Sequence, residues 1–308
     1  MPGRNKTIIL TQKQERELCR RCLSLSALKN APVLTDTVIC ADCIKAMALM
    51  PAESVDLLIA DPPYNMYKDF GKVKFTPSDR ETYLEYTLAW LTQAKRLLKP
   101  TASVYVCCDW RSSSVIEEAL SQFFTVRSRI TWQREKGRGA KANWKNSMED
   151  IWYATLSDDF TFDLDAVKQR RRVKAPYREG GKAKDWREEN GVKLRDTCPS
   201  NFWDDICVPY WSMAENTEHP TQKPEKLIAK LILASSREGD TVFDPFLGSG
   251  TTAVTAKKLK RHYIGIECEK RWCADSIYRL DAAENDPSIQ GYEGGVFWER
   301  NSDPGDMK

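Results

Sequence analysis

The 308-residue sequence lacks long apolar segments and a dense set of cysteines, and each shortage excludes a class of protein. No run of about 18 uncharged apolar residues occurs, so we expect no membrane-spanning helix. Residues 1–30 are polar and basic, without an apolar stretch before a small-residue cleavage site, so we expect a cytoplasmic protein without a signal peptide. Ten cysteines are too few for a disulfide scaffold. Aromatic residues are plentiful, with 10 Trp, 11 Tyr and 10 Phe, which excludes a disordered chain.

Four cysteines have a spacing that structural zinc sites use. The pairs are Cys19-x-x-Cys22 and Cys40-x-x-Cys43. The alternative is that Cys19 and Cys22 lie on an amphipathic helix over Thr11 to Leu28, and that Cys40 lies in a buried strand, where cysteine is a common core residue. We favour this second interpretation and predict no metal site.

Apolar strands and amphipathic helices alternate along the chain, which predicts an α/β fold with a mostly parallel sheet. The strand Val55 to Ala60 stops at Asp61-Pro62-Pro63, since proline cannot continue a central strand. After residue 283 the chain is rich in Gly, Asp and Asn, which predicts a loosely ordered tail. The other predicted strands are 38–40, 103–108, 130–132, 151–154, 241–244 and 263–267, and the predicted helices are 79–98, 112–123, 224–235, 251–259 and 270–280.

Positive charge is concentrated in one segment, Lys168 to Arg187. It holds nine cations and two acids, although the whole chain, with 47 Lys+Arg and 44 Asp+Glu, is only +3. The segment has no apolar periodicity, and Tyr177 and Trp186 lie among the charges. Such a run is typical of a nucleic-acid contact, and a solvated loop is the alternative.

A glycine-rich loop between a strand and a helix predicts a nucleoside pocket. It runs from Asp244 to Ala253 and contains Gly248-Ser249-Gly250, which allows the backbone to approach a ligand. Glu267 ends the next strand, where a carboxylate accepts hydrogen bonds from ribose hydroxyls. NAD and S-adenosylmethionine both satisfy this pattern, and an ordinary tight turn with a surface glutamate is the alternative.

The sequence Asp61-Pro62-Pro63-Tyr64-Asn65 predicts a receptor for an amino group on a planar ring. The prolines fix the backbone and leave carbonyl groups without neighbouring N–H donors. A carboxylate and a carbonyl side by side accept the two hydrogens of an exocyclic amine, and Tyr64 offers a flat face for stacking. The alternative is a Pro-Pro turn that merely ends a strand.

These motifs together resemble the beta group of S-adenosylmethionine-dependent DNA amino-methyltransferases, of the Asp-Pro-Pro-Tyr type that methylates adenine N6. The catalytic loop comes first and Phe246-Leu247-Gly248-Ser249-Gly250 far downstream. The segment His219-Pro220-Thr221-Gln222-Lys223-Pro224 matches the same group, as does Ala41-Asp42-Cys43, where the family usually has Gly-Asp. The resemblance covers Thr37 to Leu280 and is weaker over Lys168 to Tyr210.

The resemblance implies a doubly wound, Rossmann-like methyltransferase fold with an inserted basic target-recognition region. It implies five segments: a helical extension (1–30), a catalytic half (31–165), the target-recognition region (166–215), a cofactor-binding half (216–283) and a flexible tail (284–308). It implies double-stranded DNA as substrate, with a homodimer and a companion restriction endonuclease as candidate partners.

Residue roles also follow from the resemblance. Asp61, Pro62 and Tyr64 are the implied catalytic residues: Asp61 and the Pro62 carbonyl accept the amino hydrogens of an extruded adenine, and Tyr64 stacks on its ring. Lys223 has a structural interpretation, and Cys43 at the cofactor argues further against zinc. The implied cofactor-binding residues are Asp42, Cys43, Asp61, Thr221, Asp244, Phe246, Gly248, Ser249, Gly250, Thr251, Thr252 and Glu267. The implied base- and DNA-contacting residues are Pro63, Asn65, Arg138, Lys141, Arg170, Arg171, Arg172, Lys174, Arg178 and Lys182.

Four other functions stay open at this point. A cytosine N4-methyltransferase has the same fold but more often carries Ser in place of Asp61. RNA or protein-glutamine methyltransferases commonly have Asn-Pro-Pro-Tyr and place the glycine loop first. An NAD dehydrogenase would need an acid–base residue, and the chain has only His219 and His262. A zinc-bearing nucleic-acid module would leave Asp61 to Tyr64 unexplained.

Overall fold

The computed structural model describes residues 5–30, 34–69, 74–134, 141–173, 177–189 and 191–299. The strands are β1 Leu23–Ser24, β2 Thr37–Cys40, β3 Val55–Ala60, β4 Lys68–Asp69, β5 Lys74–Phe75, β6 Leu98–Cys108, β7 Thr125–Gln133, β8 Met148–Thr155, β9 Gln169–Arg172, β10 Arg178–Glu179, β11 Lys182–Ala183, β12 Arg187–Glu189, β13 Val192–Thr197, β14 Phe202–Trp203, β15 Thr241–Asp244, β16 His262–Glu267, β17 Tyr292–Glu293 and β18 Val296–Trp298. The α-helices are α1 Gln12–Cys19, α2 Leu25–Leu28, α3 Cys43–Met47, α4 Arg80–Leu97, α5 Ser113–Ser121, α6 Glu225–Ser235, α7 Thr251–Lys258 and α8 Lys270–Asn285, and a 3-10 turn spans Asp165–Val167.

Nine strands form the main sheet in the order β1-β2-β16-β15-β3-β6-β8-β7-β14. Each neighbouring pair from β1 to β6 is parallel, β8 is antiparallel to both β6 and β7, and β14 is parallel to β7. The predicted α/β fold with a mostly parallel sheet is therefore confirmed.

The central strand β3 is apolar because both of its faces are covered. Leu58 and Ala60 pack into one apolar cluster, while Leu57 and Ile59 pack into the cluster on the other face. All four side chains are at most 1% exposed. Burying one such leucine stabilises the fold by about 2 kcal/mol, so β3 is held firmly at the point where the chain leaves the sheet.

The pairing of β15 with β3 determines where the site forms. Val242 pairs with Leu57 and Phe243 pairs with Leu58, in parallel register. The loops that follow these two strands therefore leave the same edge of the sheet side by side. This is the edge at which α/β proteins bind ligands.

The basic segment and the end of the chain form strands together, so the expectation of a loosely ordered tail is wrong for β17 and β18. Strands β9, β12 and β13 form a second sheet with these last strands, in the order β12-β13-β9-β18-β17, while β10 and β11 pair separately. Strand β18 pairs in parallel with β9, through Phe297 with Gln169 and Trp298 with Arg170. Strand β18 is thus fixed at the edge of β9, and its Phe297 and Trp298 are buried.

The N-terminal segment forms two short helices rather than the single helix predicted over Thr11 to Leu28. Thr11 caps α1 with a reciprocal hydrogen-bond pair to Gln14. The chain then turns at residues 20–22, because Leu23 and Ser24 pair with Ile39 and Cys40 as an edge strand. A search of the described residues finds no helix long and apolar enough to cross a membrane.

Candidate active site

A cavity of about 440 Å³ opens where β2, β3, β15 and β16 end. Both predicted loops line it: Pro62 and Tyr64 from one, Phe246 and Gly248 from the other. The two loops therefore share one cleft. The predicted site residues that line this cavity are Asp42, Cys43, Asp61, Pro62, Pro63, Tyr64, Thr221, Phe246, Gly248 and Glu267.

Glu267 is fixed at the end of β16 by backbone donors. One carboxylate oxygen accepts from the Gly248 N–H at 2.9 Å and the other from the Glu269 N–H at 2.7 Å. Burial raises the pKa of Glu267, and these two N–H groups oppose that shift. Gly248 has a φ of 55°, and a Cβ there would lie 3.1 Å from the His219 ring. Only glycine fits this close turn without displacing His219.

The remaining walls of the cavity suit a purine nucleoside. Phe246 is held edge-on against Trp90 with ring centroids 5.3 Å apart. Asp42 caps helix α3 by accepting from the Lys45 N–H at 3.0 Å. Aromatic and aliphatic side chains beside two carboxylates match the mixed apolar and polar surface of such a ligand.

The other predicted cofactor residues lie deeper, around a second cavity of about 30 Å³. Asp244 accepts from the Thr252 hydroxyl at 2.6 Å and from the Phe246 N–H at 2.9 Å. Burial raises the pKa of Asp244 to about 7. These residues lie between the end of β15 and the start of α7 and do not line the large cavity. They are Asp244, Ser249, Thr251 and Thr252, with Gly250 at the start of α7, where a Cβ would lie 2.8 Å from Ser276.

Asp61 and Tyr64 belong to a buried network of four side chains. The Tyr64 hydroxyl donates to Asp61 Oδ1 at 2.8 Å. Lys223 Nζ donates to Asp61 Oδ2 at 2.5 Å and to the Tyr64 hydroxyl at 3.1 Å. Glu149 Oε2 lies 3.2 Å from the Tyr64 hydroxyl and 3.2 Å from Lys223 Nζ. The predicted catalytic carboxylate is thus part of a fixed charged cluster.

Sequence reasoning missed Glu149 altogether. This residue lies on β8, and its side chain is 5% exposed while that of Lys223 is 7% exposed. Arg134, at the end of β7, pairs with the other Glu149 oxygen. Glu149 and Asp150 precede the apolar run that predicted this strand, which gives Glu149 no signal of its own, and only the tertiary fold brings it to Lys223.

Two predicted base contacts have structural partners. The Asn65 side chain accepts from the Ser78 N–H at 2.8 Å and donates to the Ser78 carbonyl at 2.9 Å. The Pro63 carbonyl accepts from the Tyr83 hydroxyl at 3.0 Å. These bonds hold the loop that follows Asp61 and leave the Pro62 carbonyl as the predicted acceptor beside the carboxylate.

The predicted DNA-contacting cations divide into paired and exposed groups. Arg170 is held by Asp196 through two bonds of 2.8 Å, and Arg171 bonds Gln169 at 2.9 Å. Arg138 and Lys174 lie outside the described residues. The exposed cations are Lys141, Arg172, Arg178 and Lys182.

The four cysteines whose sequence spacing resembles a zinc site do not all lie together in the structure. Cys43 lines the large cavity, and Cys273 of α8 takes its place beside Cys19, Cys22 and Cys40. A hydrogen bond from Cys273, opposed by burial, lowers the pKa of Cys40 to about 6. Within the described ranges, no group of three or more His, Cys, Asp or Glu side chains is arranged to hold a metal ion.

Comparison with known proteins identifies the family. Residues 55–278 match the N6_N4_Mtase model, which describes a DNA methylase. Over 256 residues the chain is 37% identical to the type II methyltransferase M.HpaI of Haemophilus parainfluenzae, which covers 80% of this chain and 75% of that protein. Over 257 residues it is 34% identical to the DNA adenine methyltransferase YhdJ of Escherichia coli K12, which covers 81% and 84% of the two chains. The chain belongs to the DNA methylase family.

Solved structures share the fold of this DNA methylase. The PvuII DNA methyltransferase, named as cytosine-N4-specific, has a TM-score of 0.61 at 17% identity, covering 79% of this chain and 86% of that one. A DNA modification methylase of Thermus thermophilus, solved as a complex with S-adenosyl-L-methionine, has a TM-score of 0.54 at 20% identity, covering 86% and 98%. These likenesses confirm the Rossmann-like α/β fold of the methylase.

Proposed function

We propose that this chain is a site-specific DNA methyltransferase that uses S-adenosylmethionine to methylate the N6 amine of adenine in duplex DNA. The observation that carries the proposal is the shared cavity, in which Asp61 and Tyr64 lie with Phe246 and Glu267. The name of the relative YhdJ supports adenine as the target base.

The cofactor half of the cleft fits an adenine nucleoside bearing a methionine chain. Glu267 would hold the ribose hydroxyls, and Phe246 and Asp42 would border the adenine. Thr221 would lie toward the methionine end. When bound, S-adenosylmethionine supplies an electrophilic methyl group to an amine.

The protein's own residues prepare that amine. An adenine inside a duplex cannot reach the cleft, so the base is turned out at a cost of a few kcal/mol. Tyr64 has its hydroxyl fixed by three polar neighbours, so its ring is already oriented to border the flipped base. Asp61 and the Pro62 carbonyl accept the amino hydrogens and direct the nitrogen lone pair toward the methyl group. Positioning of this kind can supply most of the rate enhancement.

The proposed target-recognition region includes β9, β12 and β13 of the second sheet and the separate pair β10–β11. Exposed cations on β9 to β11 would neutralise DNA phosphates, which provides affinity without sequence information. We retain the proposed division into the segments 1–30, 31–165, 166–215 and 216–283, while the last segment contains the strands β17 and β18. The type II name of M.HpaI supports a companion restriction endonuclease, and a homodimer and cytoplasmic location remain part of the proposal.

Nucleoside analysis tests the function directly. The purified protein is incubated with duplex DNA and S-adenosylmethionine, and the DNA is digested and separated. We expect N6-methyladenine, and sequencing with a modification-sensitive readout then gives the site. N4-methylcytosine in its place would transfer the proposal to the alternative base, and an absence of methylated nucleosides would overturn it.

A further inference from the structure

Lys223 lies at the centre of the charged network, although its ammonium does not line the large cavity. Its Nζ lies 2.5 Å from Asp61 Oδ2 and 3.2 Å from Glu149 Oε2. Burial alone would lower the pKa of Lys223, but the charges of Asp61 and Glu149 raise it above its ordinary value. The ammonium is therefore a permanent cation between two carboxylates.

The charges around Lys223 balance only when it is present. Asp61 and Glu149 contribute two negative charges, and Lys223 and Arg134 two positive charges. Lys223 Nζ contacts both carboxylates, so removing it would leave two like charges around the site without the cation that joins them. The titratable and charged groups that face this cluster are Tyr64 from the same loop, Cys107 on β6, Glu149 on β8, Arg134 at the end of β7 and Asp244 at the end of β15.

None of the neighbouring side chains can take over the positive charge that Lys223 places beside Asp61. Burial raises the pKa values of Tyr64 and Cys107 well above their ordinary values, so both stay uncharged near neutral pH. Arg134 bonds the Glu149 oxygen that faces away from Lys223. Lys223 is consequently the cation that directly pairs with Asp61 among the described residues.

We propose that Lys223 is a positioning residue for methyl transfer, holding the Asp61 carboxylate oriented toward the target amine, with Glu149 as the counter-charge that fixes the ammonium. This inference rests on the proposed function, since Asp61 is the acceptor of the amino hydrogens. It assigns a role in the reaction to a lysine that sequence analysis interpreted as structural.

Charge-balanced variants test the role. Lys223→Met should lower kcat at pH 7 by about 100-fold, the scale of losing one preorganised charged partner. The acidic limb of its pH–rate profile should move toward neutral pH, because Asp61 then faces Glu149 without a cation. Adding Glu149→Gln to Lys223→Met should restore kcat by at least about tenfold and move the limb back, since the like charge is removed. Lys223→Arg is the matched control that keeps the charge, although its planar group fits less well.

Two further measurements separate the outcomes. Binding of S-adenosylmethionine, measured by calorimetry, should change by less than about threefold in each variant, which shows that the cleft is folded. A uniform loss of rate with an unmoved pH profile and no rescue by Glu149→Gln would overturn the positioning role. If the wild-type enzyme forms N6-methyladenine and Lys223→Met does so at a near-normal rate, the inference alone fails. If the wild-type enzyme methylates no DNA amine, the proposed function fails and this inference with it.

Discussion

Acidic and basic side chains meet both in the strand-end cleft and in the second sheet, but the two regions bury them to different degrees. In the cleft, Lys223 and Glu149 are 7% and 5% exposed. In the second sheet, Arg187 and Glu189 are 42% and 45% exposed. Exposed pairs contribute about 0–1 kcal/mol, whereas breaking a buried pair leaves an uncompensated charge at a cost of several kcal/mol.

Because of this difference in burial, the charged side chains of the two regions differ in how easily they can take a new hydrogen-bonding partner. The cations on β9 to β11 are exposed and hydrated, so under the proposed function DNA phosphates would bind to them with little reorganisation. The side chains of the cleft already have polar partners, so an incoming amine would meet a carboxylate in place. The proposed function thus assigns DNA affinity to the charges of one region and the geometry of the reaction to those of the other.

The largest expected effect is on Asp61. Asp61→Ala removes the acceptor of the amino hydrogens, so methyl transfer should fall by more than about 1,000-fold, as for loss of a group that acts only at the reacting centre. Cofactor affinity should be nearly unchanged, because Glu267 and Phe246 line the part of the cavity that is proposed to hold the cofactor. Radiolabelled methyl transfer and calorimetry measure the two quantities.

Glu189→Ala is the matched control for this prediction, because it removes a carboxylate from an exposed pair in the second sheet. Its methyl-transfer rate should stay within about twofold of wild type. A near-normal rate for Asp61→Ala would show that the cleft carboxylate has no part in the reaction.

An intermediate effect is expected on the pH dependence of stability, with opposite signs in the two regions. Burial raises the pKa of Asp244 to about 7 from an ordinary value of 3.8. Between these values the folded chain holds a proton that the unfolded chain has released. The free energy of unfolding therefore falls as the pH rises through this window, by about 1.4 kcal/mol per pH unit from this group. Asp244→Asn should remove that slope, measured by denaturant titration between the two pKa values.

Asp196 provides the contrasting carboxylate. Its hydrogen bonds to Arg170 and Arg187 lower its pKa against a smaller effect of burial. Its stabilisation is present above the ordinary aspartate pKa and is lost as the pH falls below it. Asp196→Asn should therefore destabilise the protein at neutral pH and much less in acid.

Glu215 and Asp275, whose pKa values burial also raises to about 7, leave a residual slope in Asp244→Asn. Identical pH profiles for wild type and Asp244→Asn would refute the assignment.

The cleft residues that could be predicted from sequence are those whose position is determined by a local pattern, such as the end of an apolar strand. Asp61 and Glu267 each follow an apolar strand, and the ends of parallel strands share one edge of a sheet. Glu149 could not be found in this way, because its partner Lys223 is 74 residues away in the chain and on another element. Contacts that depend on strand pairing leave no trace in local periodicity.

The second sheet could not be predicted for a related reason. Strand β9 consists of Gln169 and three arginines, so it shows no apolar alternation. It becomes a strand because β13 pairs with one of its edges and β18, more than 120 residues later, pairs with the other. A strand that is held by pairing with a distant segment has the local pattern of a solvated loop, and that segment has the pattern of a loose tail.

The smallest effect per substitution is expected among the exposed cations on β9, β10 and β11 of the basic segment. Replacing Arg172, Arg178 and Lys182 with Gln should weaken DNA binding and lower the slope of log K against log salt by about 0.9 for each phosphate that is no longer neutralised. Arg170 is left intact, because Asp196 already neutralises it and its removal would disturb the sheet. Binding is measured by fluorescence anisotropy between about 50 and 200 mM salt, a range in which such charges change affinity strongly. Lys13→Gln, on the exposed side of α1, is the control and should keep the wild-type slope. Equal slopes in the triple variant and the wild type would place the phosphate-binding cations elsewhere and remove the contrast between the two charged regions.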